Sequence, residues 1–224
     1  MANTETTIAA VTNPTENTTP IDIEVTIKNL ERNNFVVHYF NTKDEARQYL
    51  TNRIKGKRVA LGDSRSLQEI DLYDSLAEHN DVTDIQHPLE GETFRQTALR
   101  TMGRDVFLTS VNALAQTGEV VNIDGTGNRV AGSLFGSEEV FFVLGINKIT
   151  PDLASAIYRA RNVAAPQNVI KNKKLSRTPC AVKQDKCYDC ASPDRICNAL
   201  TIYYKKMRNM TTMEVIIVNE SLGF

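Results

Sequence analysis

The run of residues 140–146 (VFFVLGI) restricts the fold of this chain more than any other stretch. A short, continuous apolar run is typical of a strand that is buried on both faces, as in the centre of a parallel sheet. Shorter runs rich in β-branched and aromatic residues predict further strands at 35–40, 58–61, 82–86, 105–109 and 213–218. Segments with helical signals separate these strands. The alternation predicts an α/β fold, in which a mostly parallel sheet has helices on both faces.

The predicted helices are marked by amphipathic spacing and by capping residues. Residues 42–45 (TKDE) form a capping box, so we expect a helix from there to about residue 54. Thr150, Pro151 and Asp152 supply a cap, a proline at the first helical position and an acid in the first turn, and they predict a helix that runs to about residue 163. Other helices are predicted at 21–33, 72–78 and 92–102.

The chain of 224 residues is long enough for one large or two small domains. Residues 1–20 are rich in Thr and Asn and include Pro14 and Pro20, so they are predicted to be a disordered tail. Residues 21–224 are predicted to form a single α/β domain that carries a Cys-rich segment at 178–198.

Charge and composition exclude several classes of function. The net charge is −1 and the pI is about 6.3, so no basic excess points to a nucleic acid or an anionic membrane as partner. No apolar run approaches the roughly 20 residues that a membrane helix needs, and no secretory signal is visible. Together these features predict a cytoplasmic protein.

Residues 119–136 (EVVNIDGTGNRVAGSLFG) contain the strongest sign of a ligand site. The apolar residues 120–123 predict a buried strand, a Gly-rich polar loop follows, and the small residues 131–133 allow close packing or the start of a helix. Ligands of α/β proteins usually lie beyond the carboxyl end of a strand. The loop residues predicted to bind a ligand are Asp124, Gly125, Thr126, Gly127, Asn128 and Arg129.

A nucleotide-binding motif and a simple tight turn are the other interpretations of this loop. It is not a P-loop, because Ser133 stands where the phosphate-binding lysine would be, and its glycine spacing does not match the dinucleotide fingerprint. It could instead be a tight turn in which Asp124 and Asn128 hydrogen-bond their own backbone.

A second strand-to-helix junction lies at residues 62–70 (GDSRSLQEI). Gly62 permits the turn, Ser64 can cap the helix or contact an anion at its start, and Glu69 follows on the first turns. From this segment alone, a purely capping role for Ser64 is the simpler interpretation.

All four cysteines fall in one window, at Cys180, Cys187, Cys190 and Cys197. Four thiols around a central C-x-x-C pair, in a chain without a secretory signal, indicate a metal before they indicate disulfides. Four thiolates suit tetrahedral zinc or an iron–sulfur cluster. The outer six-residue gaps match neither a standard zinc finger nor the ferredoxin spacing, so the alternative of four unligated thiols stays open.

With both segments considered, the chain resembles the LUD-domain family, the lactate-utilisation proteins. The resemblance covers most of the chain from about residue 58 onward. It is carried by residues 108–113 (LTSVNA), 121–132 (VNIDGTGNRVAG), 145–149 (GINKI), 178–180 (TPC), 187–197 with its C-x-x-C and SPDRIC runs, and 218–223 (VNESLG). The family pattern G-G-S-x-T-x-x-E appears as residues 62–69, where Asp63 replaces the second glycine and Ser66 replaces the threonine.

The resemblance implies a Rossmann-like fold of the sugar-isomerase and CoA-transferase type. It also implies one component of a multi-protein iron–sulfur system that oxidises lactate to pyruvate. In this first hypothesis a small carboxylate binds near Asn112, Arg129 and Lys148, since cationic side chains match a carboxylate. Asp124 and Glu69 would be acid/base candidates, and iron–sulfur redox subunits would be the partners.

Two other hypotheses remain. The fold superfamily suggests an enzyme acting on an acyl, sugar-phosphate or nucleotide substrate, for which Glu69 is the motif-linked candidate nucleophile. The third is a non-catalytic interaction module that zinc holds together through the four cysteines.

Overall fold

A computed structural model describes residues 20–172 and 177–224 of the chain. The predicted disordered tail lies, apart from Pro20, outside the described residues. The strands are β1 (Val36–Phe40), β2 (Arg58–Leu61), β3 (Asp81–Asp84), β4 (Val106–Thr109), β5 (Ala113–Ala115), β6 (Val120–Asp124), β7 (Glu139–Gly145), β8 (Ile149–Thr150), β9 (Ala199–Tyr203) and β10 (Thr212–Val218). The helices are α1 (Ile23–Arg32), α2 (Lys43–Arg53), α3 (Arg65–Glu69), α4 (Leu72–Ala77), α5 (Phe94–Arg100), α6 (Asn128–Leu134), α7 (Leu153–Arg159), α8 (Ala165–Lys171) and α9 (Pro179–Lys183).

A parallel sheet of six strands forms the centre of the molecule, in the order β1-β10-β7-β4-β2-β3. Every residue of β7 and of β10 is buried. The prediction that the run around 140–146 is a central strand of a parallel sheet is confirmed. The capping box at the start of α2 is also confirmed, because the Thr42 side chain and Glu45 exchange hydrogen bonds with each other's backbone.

Both faces of this sheet are covered. Phe141 and Val143 of β7 pack with residues of α2, α3 and α4, whereas Phe142 and Leu144 belong to a cluster with Leu30 of α1 and residues of β5 and β6. Successive side chains of a strand point to opposite faces, so one apolar strand supplies both cores. The predicted α/β architecture is therefore confirmed.

A second sheet of four strands, in the order β8-β5-β6-β9, covers part of one face. Its β5–β6 and β6–β9 pairs are antiparallel. The run at 120–123 is a buried strand as predicted, but it belongs to this sheet and not to the parallel one. No strand was predicted at β5, β8 or β9. The strands β5 and β8 have only three and two residues, which is too short for a periodic pattern.

The helix predicted to end near residue 163 differs from the observed one at both ends. Asp152 is the N-cap, where its side chain accepts a hydrogen bond from the Ser155 N–H at 2.7 Å, and Pro151 precedes the helix. After α7 the chain continues through a π-helical turn (Ala160–Ala164) into α8. Pro166 is accommodated directly after this wide turn, where the regular hydrogen-bond ladder is already interrupted.

Gly132 lets α6 pack directly against the parallel sheet. A Cβ atom at this position would overlap the ring of Phe107, which is itself only 1% exposed. We therefore expect Gly132→Ala to lower the free energy of unfolding by about 1–3 kcal/mol, although Gly→Ala within a helix ordinarily stabilises. Urea denaturation would measure this, with Ala131→Ser at the neighbouring exposed position as a control that changes stability by less than about 0.5 kcal/mol. A more stable Gly132→Ala variant would contradict the packing.

Candidate functional site

A cavity of about 500 Å³ lies at the carboxyl ends of β2, β4 and β7, three adjacent strands of the parallel sheet. Its wall includes Ser66 after β2, Ser110 after β4 and Lys148 after β7. The loop between β6 and α6 and residues of α8 form the opposite wall. Adjacent carboxyl ends of parallel strands are the usual place for a ligand in this architecture.

The amine of Lys148 is held at the bottom of the cavity by two hydroxyl groups. Its Nζ donates hydrogen bonds to Ser66 Oγ and to Ser110 Oγ, each at 2.9 Å. The two hydroxyl oxygens lie 3.1 Å apart, and the Ser66 hydroxyl donates to the Leu222 carbonyl oxygen at 3.3 Å. Lys148 is only 4% exposed. Four segments that are distant in sequence therefore meet at one amine.

The charge around Lys148 is not neutralised by a carboxylate. Within residues 20–172 and 177–224, no acid forms an ion pair with Lys148. Burial lowers the pKa of its amine to about 7, and the positive charges of Arg159 and Arg129 act in the same direction, while Glu69 opposes them.

Arg159 is a second buried cation at this site. Its guanidinium donates to the backbone carbonyl oxygens of Asn112, Asn147 and Phe224, and burial lowers its pKa to about 10. These three main-chain oxygens orient the guanidinium. Arg159 is not part of the cavity wall, but its positive charge acts on Lys148, which is.

Arg129 brings another cation to the cavity wall. Its Nη2 donates to the Ile123 carbonyl oxygen at 2.6 Å and to Asn112 Oδ1 at 3.2 Å. Its Nε lies 3.8 Å from Asp124 Oδ2. Among the described residues Nη1 has no hydrogen-bond partner, so one part of this planar donor group is available to a ligand.

Asp124 organises the Gly-rich loop from inside. Its Oδ1 accepts hydrogen bonds from the N–H groups of Thr126 at 3.1 Å and Gly127 at 2.9 Å, and its Oδ2 accepts one from Val130 N–H at 3.2 Å. The carboxylate therefore has the turn-forming role considered as an alternative from the sequence. It leaves the loop closed on itself, with the side chain of Arg129 directed to the cavity wall.

The Cys-rich segment packs against this loop. Asn198 N–H donates to the Asp124 carbonyl oxygen at 3.1 Å, and its side-chain amide donates to the Gly125 carbonyl oxygen at 3.0 Å. A Cβ at Gly125 would lie 2.8 Å from the Ile196 carbonyl oxygen, so only glycine fits there. Ile196 lines both the large cavity and the smaller one that the cysteines surround.

Cys180, Cys187, Cys190 and Cys197 are free thiols around this smaller cavity of about 20 Å³. Burial and the neighbouring thiols of Cys187 and Cys190 raise the pKa of Cys197, while the nearby Arg195 opposes the shift. The donor types fit zinc or an iron–sulfur cluster. In the described parts of the chain, however, no three His, Cys, Asp or Glu side chains are arranged as metal ligands. The metal stays a prediction.

Comparison with known proteins identifies the family of this chain. The model of the LUD domain family matches residues 23–218. The chain belongs to the LUD domain family. Its structure is similar to that of a DUF162 family protein from Deinococcus radiodurans, with a TM-score of 0.51 and 13% sequence identity over 88% of this chain and 95% of that chain. At this identity the likeness shows the shared fold alone. No curated protein matches the sequence.

The resemblance read from the sequence is thus confirmed for the family. In the described part of this LUD-domain chain, no helix is long and apolar enough to cross a bilayer.

Most ligand residues predicted from the sequence meet at the large cavity of the LUD domain. Its wall includes Ser64, Asn112, Asp124, Gly125, Thr126, Asn128, Arg129 and Lys148. Glu69 and Gly127 are not in this wall. The Glu69 carboxylate instead accepts hydrogen bonds from Gly223 N–H at 2.7 Å and from Arg65 Nε at 2.9 Å, and Gly127 begins α6 with a φ of 90°. Ser64 caps α3 by accepting from Leu67 N–H.

Two residues of the cavity wall, Ser66 and Ser110, were not among the predicted ligands, and neither was Arg159, whose charge acts on Lys148. Ser66 and Ser110 follow β2 and β4, so polar residues just after neighbouring strands were a usable signal. Nothing in the local sequence distinguishes Arg159 from a surface arginine on a helix.

The buried amine of Lys148 should make stability depend on pH. In the folded chain it loses its proton near pH 7, but in the unfolded chain only near pH 10.4. Between these values the unfolded chain binds more protons, so the free energy of unfolding rises with pH, by at most about 1.4 kcal/mol per unit. The cost of burying the charge is fully present below about pH 7.

Lys148→Met removes this contribution. Relative to the native chain, the variant should be most stable near pH 6, and its advantage should shrink steadily towards pH 9. Urea denaturation of both proteins across this range measures the difference, in which the titration of other groups largely cancels. A difference that does not change with pH would contradict a depressed pKa for Lys148.

Proposed function

We propose that this LUD-domain protein binds a small carboxylate of the lactate and pyruvate class in the cavity around Lys148, as one component of a lactate-oxidising or related redox system. The observation that carries the proposal is the pair of cations Lys148 and Arg129 in the cavity wall, with Arg159 acting on Lys148 from nearby, while the wall carboxylate Asp124 is occupied by the backbone of its own loop. A bound anion would supply the missing negative charge.

The charge of the whole cavity wall supports an anionic ligand. Its cationic residues outnumber its acidic ones, with Arg65, Arg129, Lys148 and Lys171 against Asp63 and Asp124. Asp63 is the residue that replaces a family glycine, and its carboxylate accepts a hydrogen bond from the Gln86 side chain at 2.7 Å. That hydrogen bond occupies one oxygen of the Asp63 carboxylate, and the cations of the wall still outnumber its acids.

The size and the donors of the cavity support a small carboxylate. A volume of about 500 Å³ is within the range of small-molecule sites. The Arg129 guanidinium is a planar donor that matches two carboxylate oxygens, and the Ser66 and Ser110 hydroxyls can meet a hydroxyl or carbonyl group beside the carboxylate. Lactate and pyruvate each carry this pair of groups on adjacent carbons.

A thermal-shift titration tests the binding. We expect pyruvate and lactate to raise the melting temperature in proportion to the logarithm of concentration, and the uncharged analogue lactamide to have no effect. Arg129→Lys keeps the charge but loses the planar donor group, so its shift should correspond to an affinity about tenfold weaker or worse. Arg208→Gln, at an exposed position outside the cavity, is the control and should behave like the native chain. Equal shifts by pyruvate and lactamide would rule out recognition of the carboxylate.

The redox part of the proposal depends on the Cys-rich segment. Its four thiols are beside the carboxylate cavity, with Ile196 between them, so a cluster there would lie close to the ligand and could exchange electrons with iron–sulfur partner subunits.

Elemental analysis with a visible spectrum, on protein purified without oxygen, tests this part. Iron with a broad band that dithionite bleaches would support a cluster on these thiols. One zinc per chain without the band would make the segment structural, and a metal-free protein would remove the redox role. The variant Cys187→Ser should lose the bound metal, whereas Ser221→Ala, at an exposed serine elsewhere, should keep it.

A further inference from the structure

Ser66, Ser110 and Lys148 form a closed triangle of polar side chains. Each pair is within 3.1 Å, and the three residues are 0%, 3% and 4% exposed. All three line the large cavity, although their own surface there is small. A hydroxyl in hydrogen-bond contact with an amine, which a third group orients, is the arrangement of an activated nucleophile.

The two serines are not equivalent. The Ser66 hydroxyl donates its proton to the Leu222 carbonyl oxygen, so its oxygen is left to accept from Lys148. The Ser110 hydroxyl donates to Ser66 Oγ at 3.1 Å, while its backbone contact, to the Val111 carbonyl oxygen, is 3.5 Å long. Its oxygen is 2.9 Å from Lys148 Nζ, so a rotation of the hydroxyl about its Cβ–Oγ bond turns the proton from Ser66 to the amine. When the amine is neutral, Lys148 can keep donating to Ser66 while its lone pair accepts the proton of Ser110. The Leu222 carbonyl thereby sets the direction of the whole chain of hydrogen bonds.

We propose that Ser110 is a nucleophile, that Lys148 is its general base and that Ser66 positions Lys148, for acyl transfer from an ester or thioester of a small carboxylic acid. This activity goes beyond carboxylate binding and does not need a metal. Ser110 and Lys148 would be the catalytic residues, and Ser66 a positioning residue.

The surroundings of Lys148 favour the neutral amine that a general base needs. The charged groups that face it are Arg129 from α6, Arg159 from α7 and Glu69 from α3. The two arginines and burial lower its pKa to about 7, against the smaller opposing effect of Glu69. A base that titrates near neutral pH is matched to proton transfer from a hydroxyl under ordinary conditions.

The reaction balances without an oxidant or reductant. Ser110 Oγ attacks the acyl carbon, its proton passes to Lys148 Nζ, and the bond from the acyl carbon to the sulfur or oxygen of the leaving group breaks. The leaving group takes the proton from Lys148 and departs as a thiol or an alcohol. Water then attacks the Ser110 ester, gives its proton to Lys148 and releases the carboxylic acid, and Lys148 returns the proton to Ser110. The product is a small carboxylate, the class of ligand proposed for this cavity.

The test uses p-nitrophenyl acetate as the ester and a fluorophosphonate as a covalent probe on the full chain. We expect a burst of p-nitrophenol, an acetyl or phosphonyl group on Ser110 by peptide mass spectrometry, and an acylation rate that rises through about pH 7. Ser110→Ala and Lys148→Met should lose at least about 100-fold in acylation rate. Ser66→Ala should still be acylated at Ser110, with its pH profile displaced. Ser75→Ala, in α4 and outside the cavity wall, should match the native chain.

Circular dichroism on each variant confirms that a lost rate is not lost folding. An unlabelled Ser110 in the folded native chain at about pH 8 would overturn the inference, and so would acylation of Ser110→Ala at the native rate. The result is separable from the proposed function. If pyruvate raises the melting temperature but Ser110 is not acylated, only the nucleophile fails. If Ser110 is acylated without any carboxylate-dependent shift, only the carboxylate binding fails.

Discussion

The structure around the large cavity depends on the burial of one amine. A charged group that leaves water costs free energy unless the protein supplies hydrogen bonds or an opposite charge. Here the hydroxyls of Ser66 and Ser110 supply the hydrogen bonds to Lys148, but no acid among the described residues supplies the charge. The positive charges of two nearby arginines, Arg159 and Arg129, further disfavour the charged form of the amine. A buried charge without an ion-pair partner lowers stability and is typical of a functional site. A purely structural core would favour an apolar residue of the same size.

The rest of the fold brings the necessary segments to that amine. Three neighbouring parallel strands end there, and the segment after β10 folds back over it, with the N–H of Leu222 bonded to Asn147 and that of Gly223 to Glu69. The second sheet supplies the Gly-rich loop, and Asp124 holds that loop closed so that Arg129 joins the cavity wall. The Cys-rich segment then packs on Gly125. Carboxylate binding and any chemistry at the four thiols would therefore be neighbours.

Local patterns were sufficient for much of the fold and for the chemical types in the site. A continuous apolar run predicted β7, the capping box predicted α2, and the small residues around Gly132 predicted a close contact. Each of these signals acts within a few residues. The second sheet could not be predicted, because its short strands are defined by pairing across the chain. Lys148 and Arg129 could be proposed as anion partners from the sequence. That Arg159 lies close enough to act on Lys148 could not be predicted, because this proximity also depends on the fold. The pairing of Ser66 with Ser110 joins residues 44 positions apart and exists only in three dimensions.

The most direct test of this account is the pKa of Lys148, measured by NMR from the chemical shift of its Cε during a pH titration, with and without saturating pyruvate. Lys148→Met identifies the signal. The account predicts a pKa of about 7 in the free protein and a clear increase with pyruvate, because a bound carboxylate stabilises the charged amine. A pKa near the ordinary lysine value of about 10.4, or one that pyruvate leaves unchanged, would contradict it.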